Sequence, residues 1–282
     1  MWLDMVPGWA RYSPIERDTD MDDRTVTQQN LTAHQFGAHA SAYRASTAHA
    51  AGKDLVFFSD RAKVLKPSKA LDVGCGAGHA AFAIAQGAST VVACDPSEKM
   101  LEEVKGEAER RGIQNIVIHQ GSVMDLPFRN GEFDLVITRY SAHHWPDLVT
   151  GFGECVRVLR PGGHLLITDS ISPESALLDS YLQTVEVLRD PSHVRSYRLS
   201  EWREISRSQG VGMNSAETWK QPIDFQQWID RLGTSPDRAA AVCRVFREAP
   251  SEVREHFQTQ ADCSFLLDVF TAEFATSTSG SP

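Results

Sequence analysis

The sequence holds few cysteines, no surplus of positive charge and no long apolar stretch. Its five cysteines, Cys75, Cys94, Cys155, Cys243 and Cys263, lie far apart and include no CxxC pair. That spacing excludes the usual paired-cysteine zinc site, and no metal is expected. An odd number of scattered cysteines suits reduced thiols and a cytoplasmic location. No apolar run reaches the ~18–20 residues that cross a bilayer. The opening "MWLDMVPGWARY" is mildly apolar, carries no basic leader and reads as too short for a signal peptide. Lys and Arg number 28 against 37 Asp and Glu, a formal charge of −9. An acidic chain binds a phosphate backbone poorly unless its basic residues cluster, and the clusters here are short, such as "ERRG" at 109–112. Nucleic acid is therefore not an expected partner. A homo-oligomer is left open.

What is present is an ordinary globule of 282 residues, 41% apolar and 23% charged, long enough for a sizeable core. Residues 1–30, charged and poor in apolar anchors from 13 onward, read as a flexible N-terminal tail. The middle of the chain alternates two periods. Apolar runs at 69–75, 90–95, 115–121, 133–140 and 164–170 read as strands. Helical patterns fall between them. The segment 97–112 opens with the capping residue Ser97, repeats Met100, Leu101 and Val104 at helical spacing, and stops at Gly112. A helix over 148–160 is capped by Asp147 and stopped by Pro161-Gly162-Gly163. Strands separated by helices imply right-handed crossovers and a parallel, doubly wound sheet.

Ligands of such sheets lie at the carboxyl ends of the strands. Four polar points gather there: the glycines of "LDVGCGAGHAAFAIA" (71–85), Asp95, Gly121-Ser122 and Arg139–Ser141. Glycines at a strand-to-helix turn supply positive φ and let a ligand lie against the main chain. Asp95 ends the next strand, where a carboxylate accepts hydrogen bonds from ribose hydroxyls. Gly74, Gly76 and Gly78 spell GxGxG, however, and His79 occupies the third glycine position of the dinucleotide fingerprint GxGxxG. A ribose-bearing ligand without pyrophosphate fits better than a nicotinamide dinucleotide.

Four segments, "LDVGCGAGHAAFAIA", "VVACDPSEKML", "GSVMDLPFRNGEFDLVITRYSAHHWPD" and "VLRPGGHLLITD", resemble the successive motifs of class I S-adenosylmethionine (SAM)-dependent methyltransferases. The nearest flavour is the group around the ubiquinone and menaquinone C-methyltransferases. The resemblance is dense over 71–169 and extends weakly through 36–55. It implies an α/β fold: a doubly wound, seven-stranded, mostly parallel sheet, Rossmann-like, with helical cap inserts. It implies SAM as cofactor. Gly74, Gly76 and Gly78 would line its methionine portion, with Asp72 propping the glycine loop or meeting the amino group. Asp95 would take the ribose hydroxyls, with Pro96 and Met100 beside the adenine. Ser122 and Val123 stand where many members carry Asp-Ala; Ser122 departs from that pattern and offers an uncharged acceptor. Arg139 and Ser141 would border the sulfonium, and Tyr43 matches an upstream aromatic that closes over the cofactor.

Within "RYSAHHWPD" (139–147), His144 aligns with a histidine frequent in the family and is the candidate catalytic base; a buried structural histidine is the alternative. His143 and Trp145 are candidate substrate contacts, Trp145 otherwise a packing wedge. In "RDPSHVRSY" (189–197), His193 and Arg195 could hold an anionic group on the substrate, or the loop is merely solvated. The chain divides into a tail (1–30), an N-terminal helical lid (31–65), a SAM-binding core (66–172) and a helical cap insert (173–199). A core helix capped by Ser200 with strand six (200–224), a second insert of two helices (225–260), and strand seven with the C-terminal tail (261–282) complete it. The expected function is methyl transfer to O, N or C of a small aromatic, quinone-like or polyketide metabolite. A protein of the same fold with rearrangement or cyclisation chemistry would carry identical motifs, and a macromolecule methyltransferase would need a basic face.

Overall fold

The computed structural model describes residues 27–38 and 52–277. A seven-stranded sheet in the order β3-β2-β1-β4-β5-β7-β6 runs through the molecule. Its strands are β1 (Lys69–Val73), β2 (Thr90–Asp95), β3 (Ile116–Gln120), β4 (Phe133–Arg139), β5 (Leu159–Ser170), β6 (Gly212–Ile223) and β7 (Phe265–Ala275). The first five pair in parallel, and β7 runs antiparallel to both β5 and β6. The order reverses between β1 and β4, which opens a crevice at their carboxyl ends.

Helices cover both faces. At the carboxyl ends of the strands lies α1 (Gln28–Ala38), with Phe36 on Ala77 and Met100, and on one face lie α2 (Lys53–Leu65), α3 (His79–Ile84) and α4 (Glu98–Arg111). Phe58, Ala81 and Val104 from the last three bury against Leu135 and Ile137 of the central strands. On the other face α5 (Leu148–Val158) and α7 (Leu199–Ser208) bring Phe152 and Trp202 onto Phe270 and Phe274. A third apolar core joins α6 (Ala176–Arg189) to α8 (Phe225–Asp230), α9 (Pro236–Arg247) and α10 (Ser251–Phe257) above the end of β7. These four helices form a roof beside the crevice. Ser97 and Asp147 cap α4 and α5, accepting the amides of Met100 (3.4 Å) and Thr150 (2.7 Å), and Gly112 ends α4 in the left-handed region.

Several expectations change. Gln28–Asn30 were expected in the tail but form the first turn of α1, because the Thr27 hydroxyl accepts the Asn30 amide at 3.2 Å. Pro161-Gly162-Gly163 does not precede β5; it lies inside it, since Leu159 already pairs with Phe133 and the register shifts before Leu135. Arg198, not Ser200, occupies the cap position of α7; its amide is taken by the Glu201 carboxylate (2.7 Å) while Ser200 bonds Glu174. The 225–260 connection holds three helices, because Ser235-Pro236 and Pro250-Ser251 each start a new one. The cysteines are not all reduced: Cys243 and Cys263 form a disulfide with Cα atoms 5.5 Å apart, joining α9 to the approach of β7. Cys75, Cys94 and Cys155 are free and buried.

Candidate active site

The glycine turn leaves β1 and enters α3 with φ of +64°, +50° and +85° at Gly74, Gly76 and Gly78. A side chain at any of them would be strained, but the three glycines face different surroundings. A β-carbon at Gly74 would stand 2.0 Å from the Ser141 Oγ, so its absence lets β1 and the β4 turn approach. At Gly76 a β-carbon would meet nothing within 4 Å, and this residue borders the cleft. Gly78 does not line the cleft. A β-carbon there would press on Phe82 and Val104 at 3.0 Å, so this glycine serves helix packing rather than the expected ligand contact.

Two carboxylates face the turn. Asp95 accepts the Gly76 amide at Oδ2 and the Ser97 amide at Oδ1, both at 2.9 Å. It therefore ties the glycine loop to the end of β2, and each oxygen keeps a lone pair for a further donor. Burial raises its pKa to about 6, against the two amides. Asp72 is only 1% exposed, and neither oxygen has a hydrogen-bond partner among the described residues. Burial raises its pKa to about 7; the nearby Ala81 amide draws it part of the way back, and Asp95 pushes it further up. A buried carboxylate without a donor is an expensive feature unless a ligand supplies one. Asp72 does not hold the glycine loop by a hydrogen bond; of its two expected roles, meeting a ligand's ammonium is the one its unpartnered oxygens suit.

The cleft opens to solvent. Pro96, Met100, Ser122, Val123, Arg139, Ser141 and Trp145 all border it. Met100 packs with Ala77 and Phe36. The Ser122 hydroxyl accepts the Met124 amide at 3.1 Å, and Ser141 accepts from the Trp145 indole at 3.1 Å. Trp145 is also wedged against Gly151, where a β-carbon would lie 2.5 Å from its ring. Arg139 is buried in an ion pair with Asp54 and so fastens α2 to the end of β4. One side of the cleft is closed by α1: Thr32, Ala33 and Phe36 fall in the segment expected as a helical lid, Gln29 in the expected tail, and none of the four is among the site residues expected from sequence. Tyr43, expected in that role, lies outside the described residues.

Beyond this cleft lies a second cavity, which shares Phe36, Tyr140 and His144 with the first. Tyr140 holds a positive φ of 50° at this border, the kind of strain that concentrates at functional sites. The cavity's apolar wall comes from Ile223, Trp228, Leu267 and Val269, its polar side from His143, Glu186 and Arg189. The two adjacent histidines differ. His144 is buried, and its Nδ1 lies 3.0 Å from the Ser192 carbonyl. Burial, helped by the neighbouring His143, lowers its pKa to about 3, so it stays neutral near pH 7 and donates Nδ1–H to that carbonyl. His143 Nδ1 lies 2.5 Å from Asp169 Oδ1; burial opposes its charge, but Asp169 together with Glu186 and Asp190 brings the net shift upward.

His193 and Arg195 border neither cavity. His193 is buried and bonds the Gln183 carbonyl oxygen through Nε2 (2.9 Å). Arg195 is drawn to Asp179 (2.8 Å), which it shares with Arg198. These partners remove both from the expected anion-binding role. The loop's other arginine, Arg189, is the one that reaches the cavity, lying over the Trp228 ring at 4.9 Å. No group of three or more His, Cys, Asp or Glu side chains with metal-binding geometry occurs among the described residues.

The glycine turn open at Gly76 and the two carboxylates beside it, at the reversal between β1 and β4, suit a ribose-bearing ligand with an ammonium group, and the relatives identify the class as SAM-dependent methyltransferase. The chain belongs to the methyltransferase family, whose methyltransferase domain matches residues 71–167. It is 40% identical over 201 residues to the uncharacterized protein YafE of Escherichia coli, covering 71% of this chain and 97% of that one. To the uncharacterized methyltransferase YcgJ of Bacillus subtilis it is 33% identical over 222 residues, 79% of this chain and 88% of the relative. The crystal structure of YcgJ superposes with a TM-score of 0.77 at 30% identity, covering 80% of this chain and 98% of that one. A demethylmenaquinone methyltransferase of Anoxybacillus flavithermus is 28% identical over 194 residues, 63% of this chain and 82% of the relative. SAM is the cofactor, and the cleft fits it: the unpartnered Asp72 carboxylate suits an ammonium, and the free lone pairs of Asp95 suit a ribose diol.

Proposed function

We propose that this enzyme methylates a small molecule held in the second cavity, roofed by α6 and α8 and walled by the ends of β6 and β7. The observation that carries this reading is the shared border of the two cavities at Phe36, Tyr140 and His144. When bound, SAM supplies a methyl group on a positively charged sulfur, ready for displacement. Asp72 and Asp95 hold the donor by its ammonium and ribose. The bare main chain at Gly76 would let the donor approach the turn closely. The roof excludes water and fixes the acceptor, and correct approach of this kind contributes roughly 7–11 kcal/mol to bimolecular reactions. Neutral His144 holds the Ser192 loop at the border through Nδ1–H.

An aromatic, quinone-like or polyketide metabolite, and so a role in small-molecule biosynthesis, is favoured by the apolar wall around Trp228 and by the demethylmenaquinone methyltransferase among the relatives. The formal charge of −9 disfavours a nucleic-acid substrate. We place the reaction in the cytoplasm, because its methyl donor is an intracellular metabolite. Tritium-labelled SAM incubated with the enzyme and a fractionated cell extract tests the reading. Label should collect in the low-mass organic fraction. Label in protein or RNA would contradict it, and so would a SAM-dependent product that carries no label.

A further inference from the structure

His143 is held differently from every other histidine near the site. Its Nδ1 is committed to Asp169 Oδ1, and Asp169 is itself fixed by the amides of Ala142 (2.8 Å, on Oδ2) and Ser170 (2.7 Å, on Oδ1). Its carbonyl takes the amides of Val194 (2.8 Å) and Arg195 (3.1 Å), so its main chain is clamped as well. With Nδ1–H directed at a carboxylate, the neutral ring presents a lone pair at Nε2. That nitrogen has no hydrogen-bond partner among the described residues, and His143 lines the second cavity but not the first. The cavity is suited to a flat ring: Trp228, Ile223, Leu267 and Val269 make its apolar side. The same carboxylate–imidazole arrangement orients general bases elsewhere.

We propose that the second cavity takes a phenol and that His143 accepts the phenolic proton at Nε2, with Asp169 as the positioning residue. This rests on the reading of that cavity as the acceptor site. The O–H proton passes to Nε2, and the oxygen pair forms the O–CH3 bond. The S–CH3 bond breaks with its pair remaining on sulfur, which cancels the sulfonium charge. The imidazolium then returns its proton to water. The groups facing His143 are Asp169 from β5, Glu186 and Asp190 at the end of α6, and the rings of His144 (4.1 Å between centroids) and His193 (5.6 Å). The acids prevail and raise its pKa above the ordinary histidine value, so transfer should rise with pH through a midpoint above about 6.5.

The test uses 4-nitrophenol, whose phenolate is coloured, added to the full-length enzyme with S-adenosylhomocysteine (SAH) bound. In the wild type the bound probe should lose its proton at lower pH than in water, by at least roughly tenfold in proton affinity, the effect of a neighbouring opposite charge. His143→Gln, with SAH affinity intact, should return the probe to within about twofold of its free value. Should His143→Gln lose the fold, Asp169→Asn serves instead. Its amide reverses the ring's tautomer, and at least half of the shift should disappear. An equal shift in wild type and variant would overturn the proposal, as would a wild type that binds SAH but leaves the probe unbound or unshifted. Failure of the wild type to bind SAH would instead overturn the methyl-transfer reading, and this proposal with it.

Discussion

At Asp72 a carboxylate that ionises near pH 4 in water stays protonated to about 7 in the folded chain. Burial dominates, so the folded state binds the proton more tightly than the unfolded one. Stability is then fullest below the unfolded value, declines as pH rises toward 7, and levels off above it. The total loss is about 4 kcal/mol at one unit per 1.4 kcal/mol. Asp72→Asn should therefore raise the melting temperature of the ligand-free enzyme at pH 8 and leave it little changed at pH 4. The same variant should weaken SAM binding tenfold or more, since a hydrogen bond to a charged group contributes ~1.5–3 kcal/mol. Calorimetry should also show wild-type SAM affinity climbing between pH 6 and 7.5. Asp95 acts differently, because it already serves two amides. Asp95→Ala should cost roughly 2–4 kcal/mol of SAM affinity, about 30- to 1,000-fold, and lower the melting temperature by freeing the Gly76 and Ser97 amides. Binding within threefold of wild type would remove Asp95 from the ribose site. Asp95 was legible because a carboxylate ending the second strand has one common use. The His143–Asp169 pair was not, because it depends on the β4–β5 register, which sets Arg139 beside Thr168 and so brings the turn after β4 to Asp169.

Among elements, the glycine turn separates two uses of one residue type. Gly76→Ala should leave stability within about 1–2 kcal/mol, the cost of a left-handed L-residue, yet reduce SAM affinity because the new methyl enters the cleft. Gly78→Ala should show the reverse emphasis. Its β-carbon meets Phe82 and Val104, so thermal stability falls further while the cleft lining is untouched. Melting curves and SAM titrations of both variants check this, and equal losses in each assay would contradict it. The strands and α4 were legible because apolar period and caps agree at Ser97 and Gly112. A helical lid was expected over 31–65, but the start of α1 at Gln28 and the seat of Phe36 on Met100 and Ala77 were not, because the helix's apolar residues are sparse and its anchor packs on a distant segment. The number of roof helices depended on Pro250, which starts α10 directly after α9. The direction in which Gly78 faces follows from dihedrals that a glycine motif does not specify.

At the scale of the whole molecule, the sheet brings four separate segments to one cleft; the alternation of strands and helices foretold a doubly wound parallel sheet, but not the strand order that places them side by side. The division of labour above the sheet was harder to foresee. The loop carrying Arg189, His193 and Arg195 was visible in the sequence, but only folding α6 against α8 turns Arg189 toward the cavity and leaves Arg195 on Asp179. The central claim is that two adjoining cavities serve two ligands, donor in one and acceptor in the other. The most direct measurement pairs SAH calorimetry with label transfer from tritiated SAM for the wild type and Ile223→Arg. Ile223 is half-buried on the wall of the second cavity and does not border the first. The variant should bind SAH within about threefold of wild type, below the 1.4 kcal/mol of a tenfold change, while transfer to the low-mass fraction falls a hundredfold or more. Undiminished transfer with intact SAH binding would show that the acceptor is not held there.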